Sequence, residues 1–335
     1  MRKMINDPAR FVDEMIEGIL CAYGDRVKTL EENNRVLLSN TPAPDGKVGI
    51  VTGGGSGHLP VFLGYVGEGM LDGCAIGNVF ASPSSETMLE MIKACDRGRG
   101  VLCLYGNYGG DNMNFDMACE LAEFEDIETR TVRVADDVAS APAGKKDKRR
   151  GVAGMVYAFK VAGAAAQQGM DLDGVAAVAQ EVLDNIRSMG VALSPCIVPE
   201  AGKPTFSIAD DEIEIGMGIH GEPGIEVAKM MTADEIADAV MARLLEDMPL
   251  EAGDEVSVMV NGLGATPLEE QLIVYRRVHG ILSGNGVNIY MPHIGEFATS
   301  MEMAGLSVTV FKLNPKLKEL LRAPGSTPFY TNANK

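Results

Sequence analysis

The chain has 335 residues, more than the roughly 250–300 that one hydrophobic core usually supports, so we expect two domains. Its formal net charge of −18 disfavours binding to the phosphate backbone of nucleic acids. We expect no signal peptide and no membrane span, because no uncharged apolar stretch approaches ~18 residues. Six cysteines without C-x-x-C spacing predict reduced thiols in a cytoplasmic protein, with no disulfide framework and no metal site.

Short apolar runs alternate with segments whose apolar residues recur at helical spacing. The runs that predict strands lie at residues 48–52, 101–105, 129–134, 255–260, 287–291 and 306–313. The segments that predict helices are 8–20, 113–124, 151–169, 171–188, 233–246 and 268–283. Three further segments are β-prone, at 196–198, 206–208 and 213–219. This alternation predicts an α/β fold with mostly parallel sheets.

A domain boundary is expected where the predicted helical layer ends. We place one α/β domain at residues 1–188 and a second at residues 189–335. The basic run at residues 145–150 is a second candidate for the boundary, and we expect it to be a solvated loop or the start of a helix rather than a docking patch.

Four glycine-bearing loops each follow a predicted strand, at residues 53–58, 106–111, 216–224 and 261–267. Glycine lets backbone N–H groups approach a small ligand closely, and ligands of parallel α/β sheets bind at the carboxyl ends of the strands. None of the loops has the Gly-Lys-Ser/Thr ending of a phosphate-binding loop or the spacing of a dinucleotide fingerprint. The sequence therefore predicts a small-ligand site without a nucleotide motif.

Two of the four histidines, His58 and His220, lie in these loops. A single loop histidine more often caps a turn, but two in comparable positions favour a site. Asp111 follows two glycines and is expected to be a general base, a cap of the helix at 113–124, or both. The pair Asp136-Asp137 could bind Mg²⁺, but we expect it to be solvated.

Six segments in order along the chain resemble the dihydroxyacetone-binding subunit of the dihydroxyacetone kinase family. The most specific is Gly-Ile-His-Gly-Glu-Pro-Gly at 218–224. The segments are Gly53–His58, Asn107–Phe115, Arg149–Ala153, Pro199–Pro204, Gly218–Gly224 and Asn261–Thr266.

This resemblance implies a two-domain α/β subunit, usually a homodimer, with glycine-rich loops at strand ends. It implies that His220 adds to the ketone carbonyl and forms a covalent hemiaminal. It also implies that His58 and Asp111 act on the substrate hydroxyls. The predicted catalytic residues are therefore His58, Asp111 and His220, and the predicted substrate-binding residues are Gly55, Ser56, Gly57, His58, Gly106 and Asp111.

The activity implied is that of a ketose kinase, a phosphotransferase with an alcohol group as acceptor. Because no nucleotide motif is present, ATP or ADP with Mg²⁺ is expected on a separate, DhaL-like nucleotide-binding subunit. The phosphoryl donor stays open between ATP and a protein of the phosphotransferase system. This chain itself is expected to bind no cofactor.

One position departs from the family pattern, because Gly106 stands where members that use dihydroxyacetone usually carry a lysine. The glycine removes a donor and leaves room for a larger substrate such as the tetrulose erythrulose. Two other readings stay open: a ketose-sensing coactivator without kinase activity and, independent of the resemblance, a sugar-phosphate isomerase that uses His58 and Asp111 as acid and base.

Overall fold

A computed structural model describes residues 3–333, and the chain divides into two compact units. The first contains the described residues through Val134, together with Val156–Val182 and the described residues from Leu317 onward. The second contains Ala135–Met155 and Leu183–Lys316. This division differs from the single boundary predicted between residues 188 and 189. Such a boundary would cut the strand Ile186–Ser194, and the chain contributes several separate segments to the units.

The bounds of the strands and helices within residues 3–333 are as follows. The strands are β1 (Val27–Thr29), β2 (Val36–Ser39), β3 (Gly49–Ser56), β4 (Gly73–Val79), β5 (Val101–Gly106), β6 (Thr129–Val134), β7 (Ile186–Ser194), β8 (Glu212–Ile215), β9 (Glu226–Lys229), β10 (Glu255–Gly262), β11 (Asn288–Ile289), β12 (His293–Gly295), β13 (Ala304–Leu313), β14 (Gly325–Ser326) and β15 (Thr331–Asn332). The helices are α1 (Phe11–Tyr23), α2 (Ser85–Cys95), α3 (Gly109–Glu123), α4 (Met155–Gln167), α5 (Leu172–Asp184), α6 (Ala233–Asp247), α7 (Leu268–Gly284) and α8 (Pro315–Arg322). Short 3₁₀ turns precede α1 and follow β3 and β6.

The sheet of the first unit has the strand order β1-β2-β4-β3-β5-β6. Strands β4, β3, β5 and β6 run parallel, as predicted, whereas β1 and β2 join antiparallel at one edge. Helices α2 and α3 cover this sheet through a buried cluster that includes Val51, Met91, Cys103 and Phe115. Because the carboxyl ends of β3, β4 and β5 lie at the same edge, the segments that follow these strands start there.

The sheet of the second unit has the order β11-β10-β13-β7-β8-β9, with β12 also paired to β10. Four of its pairings are antiparallel, so the expectation of mostly parallel sheets fails here. Two of these pairings follow from the connections. Parallel neighbours need a long crossover, usually a helix, whereas residues 195–211 and 216–225, which join β7, β8 and β9, form no helix.

Several predicted elements have different bounds. Helix α3 begins four residues before the predicted start at 113, and residues 186–188, predicted as the end of a helix, open β7. The β-prone segments 196–198 and 206–208 form no strand, and the first contributes one isolated bridge, Ile197 to Pro204. Between residues 3 and 333, no helix is long and apolar enough to cross a bilayer.

The basic run at 145–150 is only partly solvated. Lys145, Lys146 and Lys148 are exposed, as expected. Arg149 is 1% exposed, and its Nη1 and Nη2 atoms donate to the two carboxylate oxygens of Asp247 at 3.0 and 2.5 Å. Arg187 donates to the same carboxylate through Nε. Hydrogen bonds from Arg149, aided by Arg187 and opposed by burial, lower the pKa of Asp247 to about 2.

We expect Asp247→Asn to lower the free energy of unfolding by ~3–5 kcal/mol, because it leaves two buried guanidinium groups without their counter-charge. Urea denaturation at neutral pH measures this loss. The pKa of the Asp247 carboxyl falls from an ordinary 3.8 to about 2 on folding. The ionised carboxyl therefore makes its full contribution to the free energy of unfolding above pH 3.8 and loses it as the pH falls through about 2. The difference in stability between the wild type and Asp247→Asn should shrink in that range.

The matched control is Asp238→Asn, which alters a carboxylate paired with Arg277 on the exposed surfaces of α6 and α7. Exposed pairs contribute little to stability, so this variant should unfold close to the wild type. Equal losses in both variants would contradict the importance of the buried cluster.

Candidate active-site residues

The glycines at 53–55 belong to strand β3 and not, as predicted, to a loop after it. A side chain on Gly54 would place its Cβ 2.2 Å from the ring of Phe62, and one on Gly53 would lie 3.2 Å from Phe115. These two glycines therefore allow aromatic rings to pack directly against the backbone of the strand.

Gly55 and Ser56 end β3 against the segment Phe80–Pro83. A Cβ on Gly55 would lie 2.7 Å from the backbone nitrogen of Ala81. The N–H of Phe80 donates to the carbonyl of Ser56 at 3.0 Å, and the Ser56 hydroxyl donates to the carbonyl of Gly77 at 2.8 Å. The segment Phe80–Pro83 is thus held tightly to the carboxyl end of the strand.

His58 is fully buried beside this segment. Gly57, with φ of +102°, turns the chain at the end of β3 and directs it toward His58. The imidazole stacks on the ring of Phe80, with centroids 4.8 Å apart and an interplanar angle of 21°. Its edge contacts Phe62 at a centroid distance of 6.2 Å. Two aromatic rings therefore fix the orientation of the imidazole.

Asp111 is the third residue of α3 and is 6% exposed. Tyr108 is the N-cap, so the predicted capping role of Asp111 is wrong, because the helix begins earlier than expected. A carboxylate in the first turn is stabilised by the positive end of the helix dipole. The connection from β5 to α3 is fixed by the amide of Asn112, which donates to the side-chain oxygen of Asn107 at 2.9 Å.

The segment Phe80–Pro83 also contacts the start of α3. A Cβ on Gly110 would lie 2.6 Å from the hydroxyl of Ser82, and the Asn114 amide donates to the carbonyl of Pro83 at 2.7 Å. One segment therefore touches both the end of β3, which leads to His58, and the first turn that carries Asp111. Gly106 is the buried last residue of β5, at the same edge of the sheet.

In the second unit, His220 lies in a tight turn between β8 and β9. Gly216 leaves β8 with φ of +84°, and a Cβ on Gly224 would lie 2.2 Å from the carbonyl of Ile215. The N–H of Gly224 donates to the carboxylate of Glu214 at 2.7 Å. The strand predicted to continue to residue 219 ends at Ile215, because the chain folds back at these glycines.

Glu222 holds His220 at two points. The Nδ1 atom of the imidazole lies 2.6 Å from Oε1 of Glu222, and the backbone N–H of His220 donates to Oε2. A Cβ on Gly218 would lie 2.2 Å from this Oε2 atom, so a side chain there would force the carboxylate to shift. Glu222 was not among the predicted site residues, although the spacing His-Gly-Glu within the most specific motif was an available signal.

Arg150 connects Glu222 to the buried acid Asp137. Its Nη2 atom lies 2.7 Å from Oδ2 of Asp137 and donates to the carbonyl of Gly216 at 3.1 Å. Its Nη1 atom lies 3.9 Å from Oε2 of Glu222. Asp136 is also buried and accepts the N–H groups of residues 152 and 154, so the expectation of a solvated acidic pair is wrong.

Charges within this turn favour an ionised Glu222. Burial opposes ionisation of the carboxyl group, but the hydrogen bond from His220 and the attraction of His220 and Arg150 outweigh it, and the pKa of Glu222 is lowered. Burial raises the pKa of Asp137 to about 6, even though Arg150 acts in the opposite direction. The carboxylate next to His220 is therefore a charged hydrogen-bond acceptor at neutral pH.

We expect Gly55→Ala to lower the free energy of unfolding by ~1–3 kcal/mol, because its Cβ must displace the backbone at Phe80 and Ala81. Thermal and urea denaturation measure the loss. Gly280→Ala is the matched control, because a Cβ there meets nothing within 4 Å and alanine favours the helical conformation of α7. A Gly55→Ala protein as stable as the control variant would refute the close contact.

The chain is similar to known proteins over nearly its whole length. The Dak1 domain family matches residues 17–329. The PTS-dependent dihydroxyacetone kinase 2, dihydroxyacetone-binding subunit DhaK, of Listeria innocua is 46% identical, with 98% of this chain and 99% of that protein covered. The L-erythrulose kinase of Pectobacterium atrosepticum is 41% identical, with 98% of this chain and 56% of that longer protein covered.

A solved structure titled dihydroxyacetone kinase operon co-activator Dha-DhaQ superposes with a TM-score of 0.89 at 32% identity, covering 95% of this chain and 98% of that one. The family match extends over nearly all of the chain, and the similar subunit is matched from end to end. The chain therefore belongs to the Dak1 domain family, which includes the dihydroxyacetone-binding subunits of dihydroxyacetone kinases.

Proposed function

We propose that this chain is the ketose-binding subunit of a dihydroxyacetone-type kinase and holds its substrate as a hemiaminal on His220. The contact between Nδ1 of His220 and Glu222 at 2.6 Å carries the proposal. An ionised carboxylate only accepts hydrogen bonds, so the ring proton belongs on Nδ1. The lone pair then lies on Nε2, the nitrogen that attacks the carbonyl carbon.

The addition step places charge where Glu222 can stabilise it. As the bond from Nε2 to the carbonyl carbon forms, the C=O π bond breaks and its electron pair moves to oxygen, which takes up a proton. The imidazole ring meanwhile gains positive charge and keeps its Nδ1 proton in the hydrogen bond to Glu222. A carboxylate fixed on Nδ1 favours this change, as the aspartate does for the histidine of serine proteases.

Covalent capture suits a substrate as small and polar as a short ketose. Such a molecule offers little apolar surface for ordinary binding, and a bond to protein fixes its orientation. Orientation of reacting groups can supply ~7–11 kcal/mol of a reaction barrier. The bond also selects for a carbonyl compound and against a polyol such as glycerol, which cannot form it.

Asp111 and His58 are proposed to act on the substrate hydroxyls. The carboxylate of Asp111, at the start of α3, accepts the proton of the hydroxyl that attacks phosphorus. The imidazole of His58, whose orientation is fixed by contacts with Phe80 and Phe62, is proposed to form a hydrogen bond with a substrate hydroxyl. The backbone of Gly55, Ser56 and Gly57 is proposed to line the substrate.

The nucleotide is proposed to be bound, with Mg²⁺, by a separate subunit. The glycine-rich stretches of this chain lack a phosphate-binding loop, and Gly53–Ser56 is a strand packed against side chains and backbone. A similar protein is named as one subunit of a PTS-dependent kinase, which supports a multi-subunit phosphotransferase.

A second candidate function is ketose sensing without phosphoryl transfer. The similarity to a structure titled as an operon co-activator favours it, because that protein shares the fold at 32% identity. The kinase proposal is preferred because His58, Asp111 and His220 are all present, and the higher identities are to proteins named as kinase subunits.

We expect His220→Ala to abolish covalent ketose capture, because no imidazole remains to attack the carbonyl carbon. Native intact-mass measurement of the protein with dihydroxyacetone or erythrulose tests this.

Glu222→Gln should weaken capture. Its amide has one acceptor oxygen for two N–H donors of His220, and it favours the wrong ring tautomer if its NH₂ group faces Nδ1. His279→Ala, on α7, is the control and should retain the adduct.

If His220→Ala formed the same adduct as the wild type, the covalent bond to the ketose would lie on another residue, and the proposed role of His220 would be wrong. A sugar-phosphate isomerase using acid and base residues would leave no adduct in any of the four proteins, so the wild-type measurement also separates these two classes of enzyme.

We expect Asp111→Asn to retain the ketose adduct but to lower the rate of phosphorylation by ~10²–10⁴-fold, because asparagine keeps the shape and cannot accept the proton. The assay requires the nucleotide-binding partner and follows ketose phosphate formation. An exposed first-turn change, Glu86→Gln on α2, is the control. A kcat close to that of the wild type in Asp111→Asn would exclude general-base catalysis by Asp111.

Substrate choice is expected to depend on Gly106. Glycine at the end of β5 supplies no charged donor to a substrate hydroxyl, and spare room discriminates weakly against smaller ligands. We therefore predict that erythrulose is used at least as well as dihydroxyacetone, and that Gly106→Lys shifts preference toward the three-carbon ketose. Values of kcat/KM for both ketoses decide this. Strong preference of the wild type for dihydroxyacetone, unchanged in the variant, would contradict the prediction.

A further inference from the structure

Two cysteines outside the proposed catalytic residues lie in contact with each other. Cys103 is on strand β5 and Cys119 is on helix α3, and their Sγ atoms are 3.7 Å apart. This distance is van der Waals contact between two thiols, so the two sulfurs are already close to the bonding distance of ~2.05 Å. Neither residue has a role in the proposed ketose chemistry.

The two thiols have complementary environments. Cys103 is fully buried, whereas Cys119 is partly exposed on α3. The hydrogen bond from Cys103 lowers the pKa of Cys119 to about 6 against the effect of burial, and hydroxyl groups of Thr129 and Thr131 act in the same direction. The same hydrogen bond, together with burial, raises the pKa of Cys103. Cys119 is therefore the more accessible thiol of the pair and the one whose environment favours the thiolate, and Cys103 lies buried behind it.

We propose that Cys103 and Cys119 form a reversible oxidation site that takes small hydroperoxides. The Cys119 thiolate attacks one peroxide oxygen and the O–O bond breaks. After proton uptake by the leaving oxygen, the products are sulfenic acid and water from hydrogen peroxide, or sulfenic acid and an alcohol from an organic hydroperoxide. The Cys103 sulfur then attacks the sulfenic sulfur, a disulfide forms, and the hydroxyl group leaves as water with the Cys103 proton. Both sulfurs are oxidised and the peroxide is reduced; a dithiol reverses the change by exchange.

The remaining cysteines explain why the site is specific to this pair. Burial raises the pKa of the Cys74 and Cys95 thiols, which makes them poor nucleophiles at neutral pH. Cys196 is also buried. Cys21 is exposed on α1 and provides an internal standard for a thiol that peroxide can reach.

The crosslink would enclose the connection from β5 to α3. The residues between the two cysteines include Gly106 at the end of β5 and Asp111 in the first turn of α3. Closing this loop restricts the unfolded chain, so the oxidised protein should resist unfolding more strongly than the reduced protein. The proposal concerns the thiols alone and stands whether or not the chain binds a ketose.

The test treats the full-length reduced protein with a small excess of hydrogen peroxide, then denatures it in an alkylating reagent and maps its peptides. We expect a linked peptide containing Cys103 and Cys119, two fewer alkylated cysteines, and recovery of both by dithiothreitol. In Cys103→Ser the sulfenic acid on Cys119 has no resolving thiol and should be trapped by dimedone. Cys103→Ala, which removes the hydrogen-bond donor, should slow that trapping. Cys21→Ser should behave as the wild type.

Two results would overturn the proposal. One is a wild-type Cys119 that reacts with peroxide no faster than Cys21 in the same molecule. The other is the appearance of disulfides that involve other cysteines while Cys103 and Cys119 remain reduced. Circular dichroism of each variant before treatment checks that it is folded, and the comparison within the wild-type protein decides the question even if a variant is not.

Discussion

The turn that carries His220 depends on the absence of a side chain at Gly218. The space that a Cβ would occupy there is filled by the carboxylate of Glu222 and the guanidinium of Arg150, at 2.2 and 2.5 Å from the ideal position. Glycine at this point lets Glu222 reach both the ring and the backbone of His220. In the first unit, Gly55 plays the equivalent part, because it lets the backbone of Phe80 and Ala81 close over the end of β3. Each histidine thus lies near a glycine whose missing side chain leaves space for close neighbours, which are side-chain groups at Gly218 and backbone atoms at Gly55.

Electrostatics in the second unit follow from that geometry. Asp137, Arg150 and Glu222 form an alternating series of charges that ends at the imidazole. Burying such groups is costly, and each is tolerated because the next one supplies a counter-charge or a hydrogen bond. The series fixes the orientation of the ring as well as the nitrogen that carries its proton. A neutral imidazole held in this way can act as a nucleophile at neutral pH.

Much of the fold could be predicted from the sequence, and the failures have physical causes. Apolar runs located β5, β6, β10 and β13, and helical periodicity located α6 and α7 within a few residues. The antiparallel pairing of β7, β8 and β9 was missed, because periodicity does not reveal the direction in which a chain returns. The glycines at 53–55 suggested a loop, whereas they form a strand whose neighbours exclude side chains. His58, Asp111 and His220 were selected by motif; the His-Gly-Glu spacing was a signal for Glu222, whereas the contacts of Arg150 depend on how the chain folds around the turn.

The central claim, that Nε2 of His220 forms a covalent bond to the ketose carbonyl carbon, can be measured directly by NMR. The protein would be labelled with ¹⁵N in its histidines and mixed with dihydroxyacetone or erythrulose carrying ¹³C at the carbonyl position. The account predicts that the ketone carbon becomes tetrahedral and shows one-bond coupling to Nε2 of His220, while Nδ1 keeps the signature of hydrogen bonding to Glu222. A bound ketose whose carbon remains a free carbonyl, or whose coupling is to Nδ1, would contradict it.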